Sequence, residues 1–275
     1  MDMSVKPMPA ELSYHCVEVV GLRAGQRLYG QDHVAEEAAV ALEFNGISHA
    51  VMLATPVELE DFACGFALTE GIVDSLAQVL DCEVSASAQG YTVHLRIAAG
   101  CFARLKDQRR NLTGRTGCGL CGTESLAHAL RPVRPLAPGC SFTATALRCA
   151  EASLRGRQGL LSVTGATHAA AWCSAIGQIA LLREDVGRHN ALDKLIGALL
   201  RSKTDPSRGF VVVTSRASVE MVQKAAAAGI GLLAAVSGVT GLAVDVAQHS
   251  GLTLAGFVRG ENVSIYSHPQ RFELN

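Results

Sequence analysis

Short apolar strands alternate with amphipathic stretches through the second half of the chain, and this alternation narrows the fold class more than any other feature. Residues 210–213 read as a β-branched strand, 219–228 as a helix, 232–236 as a strand, 240–249 as a helix and 252–258 as a strand. Strands separated by helix-length connections pair in parallel, so this half is read as α/β. A helix over 192–200 precedes the series and a strand over 262–266 closes it. No internal repeat is visible.

The first half carries different signals. In EEAAVALEFNGISHAVMLATP, Asn45-Gly46 separates two short apolar runs and predicts a tight hairpin, because both turn positions favour positive φ. Leu59, Phe62, Ala63, Phe66 and Ala67 fall at helical spacing within 58–72, and Gly71 ends the pattern. Two more strands are expected over 79–84 and 91–97. Residues 1–12 read as a loose tail, with structure starting near Tyr14. Arg104, Lys106, Arg109, Arg110 and Arg115 have almost no apolar anchor between them, so 104–122 reads as an exposed basic loop. Pro132, Pro135 and Pro138 mark a connector, which divides the chain into an N-terminal α+β region over 13–134 and a C-terminal α/β region over 135–275.

Bulk charge excludes some functions. With 24 Lys+Arg against 25 Asp+Glu and a pI near 6.7, the chain is unsuited to coating nucleic acid or an anionic membrane. The uncharged stretches 159–182 and 225–244 are long enough to span a bilayer, but His168, Gln178 and repeated glycines make them buried α/β core instead. Nine cysteines, an odd number, and an opening MDMSVKPMPAEL without secretory-signal order predict reduced thiols in the cytoplasm.

Cys118 and Cys121 form the C-x-x-C pair that could carry chemistry. A sulfur nucleophile must be a thiolate, and Arg109, Arg110 and Arg115 upstream, with a helix start after Gly122, would lower its pKa. Gly114, Gly117, Gly119 and Gly122 remove bulk and restriction, which suits a carrier that reaches a second protein. A structural zinc knuckle lacks its second ligand pair, and a thioredoxin-type dithiol remains the stronger rival. The G-x-G-x-x-G match over 117–122 follows no apolar strand, and the C-x-E a zinc deaminase needs has only the distant Cys16-Val-Glu18 as a candidate. Cys16, Cys64, Cys82, Cys101, Cys140, Cys149 and Cys173 read mostly as small core residues.

Three other segments gather polar groups. Residues 183–194 pack charges and a histidine around a helix start, which reads as a solvated helix end or, through Arg188 and His189, as an anion site where His189 could shuttle a proton. Residues 214–218, with Arg216, sit at the carboxyl end of a parallel strand, the edge where open α/β sheets bind ligands. Residues 257–262 follow the last strand of the series and from spacing alone read as a surface loop.

The stretches VMLATPVELEDFACGFALTEGIV (51–73), TGCGLCG (116–122), DVGRHNALDKLIG (185–197), SRASVEMVQKAA (215–226) and YSHPQR (266–271) together resemble the FdhD family of formate dehydrogenase accessory sulfurtransferases. The match keeps the family's order over about four fifths of the chain. The resemblance implies a cytoplasmic homodimer with a cytidine-deaminase-like α/β fold, a mixed and partly parallel sheet flanked by helices, plus a smaller N-terminal region and no deaminase zinc. It implies sulfur taken as a persulfide from a cysteine desulfurase and passed to the molybdenum or tungsten bis-molybdopterin guanine dinucleotide of formate dehydrogenase. Cys118 would be the persulfide carrier, with Cys121 assisting. The family's guanine-dinucleotide contacts fall on Phe257, Val258, Arg259, Gly260, Glu261 and Asn262, where Gly-Glu-Asn replaces the family's Pro-Gly-Arg turn. A non-catalytic insertion chaperone and a general dithiol oxidoreductase are the alternatives.

Overall fold

The computed structural model describes residues 13–113, 133–137 and 140–273; the tail over 1–12 and the C-x-x-C motif lie outside them. A ribbon comes first. Strands β1 (Tyr14–Arg23) and β2 (Gln26–Ala35) pair antiparallel along their whole length as a separate two-stranded sheet. Next, β3 (Ala38–Phe44) and β4 (Ile47–Ala54) form the expected hairpin, with Asn45 and Gly46 at φ 49° and 78°. Helix α1 (Leu59–Thr69) follows, then β5 (Val79–Ser87) and β6 (Gly90–Ile97). These four strands order as β4-β3-β6-β5, and β3 runs parallel to β6. The Asn45 amide fixes that neighbour by donating to the Ile97 carbonyl (3.1 Å) and accepting from its N–H (2.7 Å).

Helix α2 (Ala99–Thr113) corrects the loop reading of the basic stretch from Arg104 to residue 113, and the rest of that stretch lies outside the described residues. Its anchors are Cys101 and Leu105, buried one turn apart, and the sequence reading passed over them because the run that follows, Lys106-Asp107-Gln108-Arg109-Arg110, is polar and mostly basic. Arg104 turns outward to Asp74 at 3.0 Å, and the Lys106 ammonium lies 4.8 Å from the Phe102 ring. Such cations cover apolar surface with their stems while their heads stay in water.

The rest of the chain builds a larger sheet. In order come β7 (Phe142–Thr143), α3 (Ala144–Arg157), α4 (Gly159–Thr164), β8 (His168–Ser174), β9 (Ile179–Asp185), α5 (Arg188–Arg201), β10 (Gly209–Val213), α6 (Val219–Ala227), β11 (Leu232–Ala235), α7 (Gly241–Ser250), β12 (Thr253–Arg259), β13 (Asn262–Ile265) and β14 (Phe272–Glu273). The six-stranded order is β13-β12-β11-β10-β8-β9, and β14 pairs with β7. Strands β10, β11 and β12 are parallel, as their helical crossovers require, while β8, β9 and β13 join antiparallel. The uncharged stretches 159–182 and 225–244 are divided among these strands and helices, and among the described residues no helix is long and apolar enough to cross a membrane.

Both faces of this sheet are covered. Val211 and Val213 of β10 join the core shared with α1, α5, α6 and α7, whereas Phe210 and Val212 point to the core under α3 with Phe142 and Leu147. This is why the strand reads as a continuous apolar run. Helices α1 and α5 meet through glycines. A Cβ on Gly65 would lie 1.8 Å from the Asp193 carbonyl oxygen, and one on Gly197 would lie 1.8 Å from that of Asp61, so only hydrogen fits at either crossing point. Among the other cysteines, Cys64, Cys101 and Cys173 are buried and Cys82 half-buried, but Cys16, Cys140 and Cys149 are exposed, which corrects the expectation of core positions for these three. Cys16 is exposed on β1 and Cys149 on α3, and Cys140 lies outside any strand or helix.

Candidate functional site

The segment after β9 turns its charges inward. Asp185 and Lys194 have no solvent exposure and pair at 2.7 Å. Asp185 also accepts from the N–H groups of Thr55 (3.0 Å) and Gly187 (2.7 Å) and from the Asn190 amide (3.0 Å). Lys194 donates to the Thr55 carbonyl (2.9 Å), and Asn190 donates to that of Leu53 (2.8 Å). A buried charge is tolerated only when its partner and remaining hydrogen bonds are supplied, and here the end of β4 supplies them. The solvated-helix reading of 183–194 is therefore corrected: the charges found partners far away in sequence. Arg183 does the same, donating from Nε (3.0 Å) and Nη2 (2.7 Å) to Asp61 of α1, which also pairs with Arg201 at 2.6 Å.

Between α1, α5 and α6 lies a cleft of about 490 Å³. Two rungs join α5 to α6 at one helical turn apart. On the inner rung, Lys224 donates to Asp193 (2.8 and 3.0 Å), Thr69 (3.0 Å) and Glu70 (3.2 Å). Burial opposes the Lys224 charge, but Asp193 and Glu70 outweigh it and leave its pKa above the ordinary lysine value. On the outer rung, His189 Nε2 lies 2.6 Å from Glu220 Oε2. Burial pushes the His189 pKa below the ordinary value, helped by Arg188 and Lys224 and opposed by Glu220 and Glu70. His189 thus faces a carboxylate and not an open anion pocket. Val133 and Arg134 line the cleft from the chain that follows the C-x-x-C segment.

A second feature sits at the carboxyl ends of β10, β11 and β12. The loop over 214–218 is tied to the β11–α7 loop, where Ala217 N–H donates to Gly238 O (3.1 Å) and Thr240 N–H to Ala217 O (3.2 Å). Arg216 is exposed at this edge, and Arg188 begins α5. At the end of β12, a shift of register accompanies Phe257, whose φ is 53° and whose side chain is 49% exposed. An extra residue re-aims a side chain in this way, and positive φ in an aromatic residue is a strained state that the surroundings must hold. Phe257 N–H donates to Ser237 O (2.9 Å). Val258 is fully buried, Arg259 Nε donates to Val236 O (3.0 Å), and Glu261 faces Arg148 at 3.6 Å. Gly260 takes φ 54° beside the almost fully exposed Glu261, while Asn262 opens β13. The six positions thus run from the bulged end of β12 through a tight turn at Gly260 and Glu261 into β13, at a ligand-permissive sheet edge.

Three of the quoted sequence stretches meet at the cleft: 51–73 supplies Thr69 and Glu70, 185–197 supplies His189 and Asp193, and 215–226 supplies Glu220 and Lys224. A family model described as FdhD/NarQ matches residues 35–273. The chain belongs to this family. Among its relatives, "Sulfur carrier protein FdhD" of Variovorax paradoxus is 55% identical over 270 residues, 98% of this chain and 96% of that one. Its namesake in Bordetella petrii is 52% identical over 278 residues, covering 100% and 99%. The fold is also that of a crystal structure described as a candidate formate dehydrogenase accessory protein from Desulfotalea psychrophila, with a TM-score of 0.75 over 94% of this chain and 99% of that one at 24% identity.

Cys118 and Cys121 lie outside the described residues. Among the described residues, no group of three or more His, Cys, Asp or Glu side chains is placed to hold a metal ion. Sequence reasoning did not single out Thr55, Thr69, Glu70, Glu220 or Lys224. The available signal was their position inside the quoted stretches, since none belongs to a recognisable short motif.

Proposed function

We propose that this protein accepts sulfur as a persulfide on Cys118 and delivers it to the molybdenum or tungsten bis-molybdopterin guanine dinucleotide that formate dehydrogenase requires. The observation that carries the sulfur-carrier role is 50–56% identity, over at least 91% of this chain, to proteins named sulfur carriers. The chain is in this reading a cytoplasmic homodimer. Its donor is a cysteine desulfurase, and the molybdopterin cofactor is cargo held at Phe257, Val258, Arg259, Gly260, Glu261 and Asn262. The shape of that turn supports the last assignment: an outward aromatic ring can stack on a base, and Glu261 can accept from a guanine N–H edge although it would repel phosphate.

The chemistry follows from thiol exchange. Cys118 thiolate attacks the outer sulfur of the donor persulfide; that S–S bond breaks and the donor leaves as a thiolate. Cys121 thiolate then attacks the inner sulfur, forming a Cys118–Cys121 disulfide and releasing hydrosulfide to the metal. A dithiol reductant resets the pair by two electrons.

The test is to incubate reduced protein with an active desulfurase and L-cysteine and to weigh the peptides. A gain of about 32 Da on Cys118, reversed by reductant, is expected. No gain on either cysteine would favour the insertion chaperone. Cys118→Ala should bind cofactor normally and fail to activate formate dehydrogenase.

A further inference from the structure

Two cysteines outside the C-x-x-C motif meet where α1 rests on β5, the edge strand of the four-stranded sheet. Cys64 on α1 is 2% exposed, and Cys82 on β5 is half-buried, packed with Val79 and Val84 against the main core. The Cys82 thiol donates a hydrogen bond to the Cys64 sulfur. Arg201, paired with Glu60 and Asp61, lies beside them. The bond from Cys82 and then the Arg201 charge hold the Cys64 pKa below the ordinary thiol value, against burial and against Asp61 and Glu60. Cys82 moves the opposite way, because losing its proton breaks the bond to Cys64 and because burial disfavours its charge.

A thiol buried among apolar groups alone is inert. This pair is in a different state: one sulfur is the readier thiolate, the other stands against it with a proton, and Cys82 gives both a side open to solvent. Packing does not require the arrangement, since a thiol is a weak donor and two small apolar residues would fill the same space. Sulfurs already in contact also have little distance left to close. We propose that Cys64 and Cys82 are a second redox-active dithiol, which a small hydroperoxide closes reversibly to a disulfide between α1 and β5. The inference goes beyond the sulfur-carrier reading and does not depend on it.

With hydrogen peroxide as the oxidant, the Cys64 thiolate attacks one oxygen. An S–O bond forms, the O–O bond breaks, and the departing hydroxide takes up the proton that Cys64 had lost, leaving a sulfenic acid and one water. Cys82 sulfur then attacks the Cys64 sulfur: the S–S bond forms, the S–O bond breaks, and the hydroxyl leaves with the Cys82 proton as a second water. Two thiols are oxidised by two electrons and one peroxide is reduced to two waters. A dithiol reductant reverses the closure by exchange. The disulfide ties α1, which gives the cleft Phe66, Leu68 and Thr69, to the rim of the smaller sheet.

The test takes the full chain, reduced and freed of reductant, through stepwise additions of hydrogen peroxide at neutral pH. Remaining thiols are alkylated after unfolding, and the unreduced protein is cut after acidic residues, since Glu70 and Asp74 separate the two cysteines. The expected product is a linked pair of peptides carrying Cys64 and Cys82, about 2 Da lighter than their sum and parted again by a dithiol reductant. Cys82→Ala should slow the first oxidation of Cys64 about tenfold, because the donor that favours its thiolate is gone. Cys64 then has no thiol to close on and should pass to sulfinic acid, a gain of about 32 Da that reductant leaves in place. Full alkylation of both cysteines in the wild-type chain, at peroxide doses that have oxidised the exposed Cys16, Cys140 and Cys149, would overturn the inference. A link from Cys64 to another cysteine in preference to Cys82 would do the same. The wild-type digest decides the matter even where the variant fails to fold, and persulfide loading of Cys118 is measured separately, so either reading can fail alone.

Discussion

The two main sheets solve the same problem in opposite ways. The six-stranded sheet is covered on both faces, and every residue of β10 and β11 is buried. The four-stranded sheet is covered on one. Val40, Leu42 and Phe44 face the core with no exposure, whereas Val51 and Leu53 on β4 are 62% and 60% exposed. A two-sided sheet leaves charge nowhere to go but into pairs, so the polar groups around it are buried and specific. On a one-sided sheet polar groups can remain half-solvated, as the Glu43 and His94 pair does at 2.9 Å.

This contrast is broken most forcefully at Lys194. Lys194→Ala strands a buried Asp185 and should cost about 3–5 kcal/mol, read as a fall in the urea midpoint at pH 7. A cost within the range of a surface pair would mean that the site hydrates readily. On the covered face of the smaller sheet, Leu42→Ala should cost about 2–5 kcal/mol as a core cavity, seen as a lowered midpoint at unchanged slope. Gly65→Ala forces α1 from α5 and should cost about 1–3 kcal/mol, or more because the clash is with backbone; thermal unfolding would report it, and Gly197→Ala should match it.

Acid should act on the histidines at the larger sheet. Burial is the leading cause of low pKa values in both His168 and His189, with Arg188 lowering each further. The unfolded chain then binds more protons, so stability is full above about pH 6.5, falls as pH drops below it, and levels off below the depressed folded values. Urea titrations on either side of that window should show this, and His168→Gln should flatten the slope. The smallest effect is expected at Val51→Thr on the open face, within about 0.5 kcal/mol. A larger loss would show that this face is covered in solution.

Legibility followed the same division. The parallel β–α units were readable because each run is homogeneous, apolar on both strand faces and punctuated by glycine. The Asn45-Gly46 hairpin was readable because its turn chemistry is local. Helix α2 was not, because two anchors one turn apart are outweighed in sequence by the basic residues around them. The 183–194 segment failed for a different reason: Asp185 and Lys194 neutralise each other within it, but the groups that let that pair be buried and that pair Arg183 and Asp193, at Thr55, Asp61 and Lys224, are distant, and nothing in a local window reports a distant partner. Of the cleft, His189 alone was singled out, and its neighbour Glu220 was visible only as part of a longer stretch. The Phe257 turn was placed by resemblance, while its bulge and positive φ emerged only from the strand register.

The bond from Lys194 to Thr55 spans 139 residues, and that from Thr55 to Asp185 spans 130. Closing such a loop carries an entropic cost that no local contact offsets, so these bonds form late. During synthesis the N-terminal half therefore emerges with the backbone polar groups at the end of β4 solvated and its α1 face uncovered until α5 has left the ribosome. The nascent chain spends that interval as an incomplete domain, open to chaperone capture, and the delay is set by the order of the gene and not by the strength of the final core.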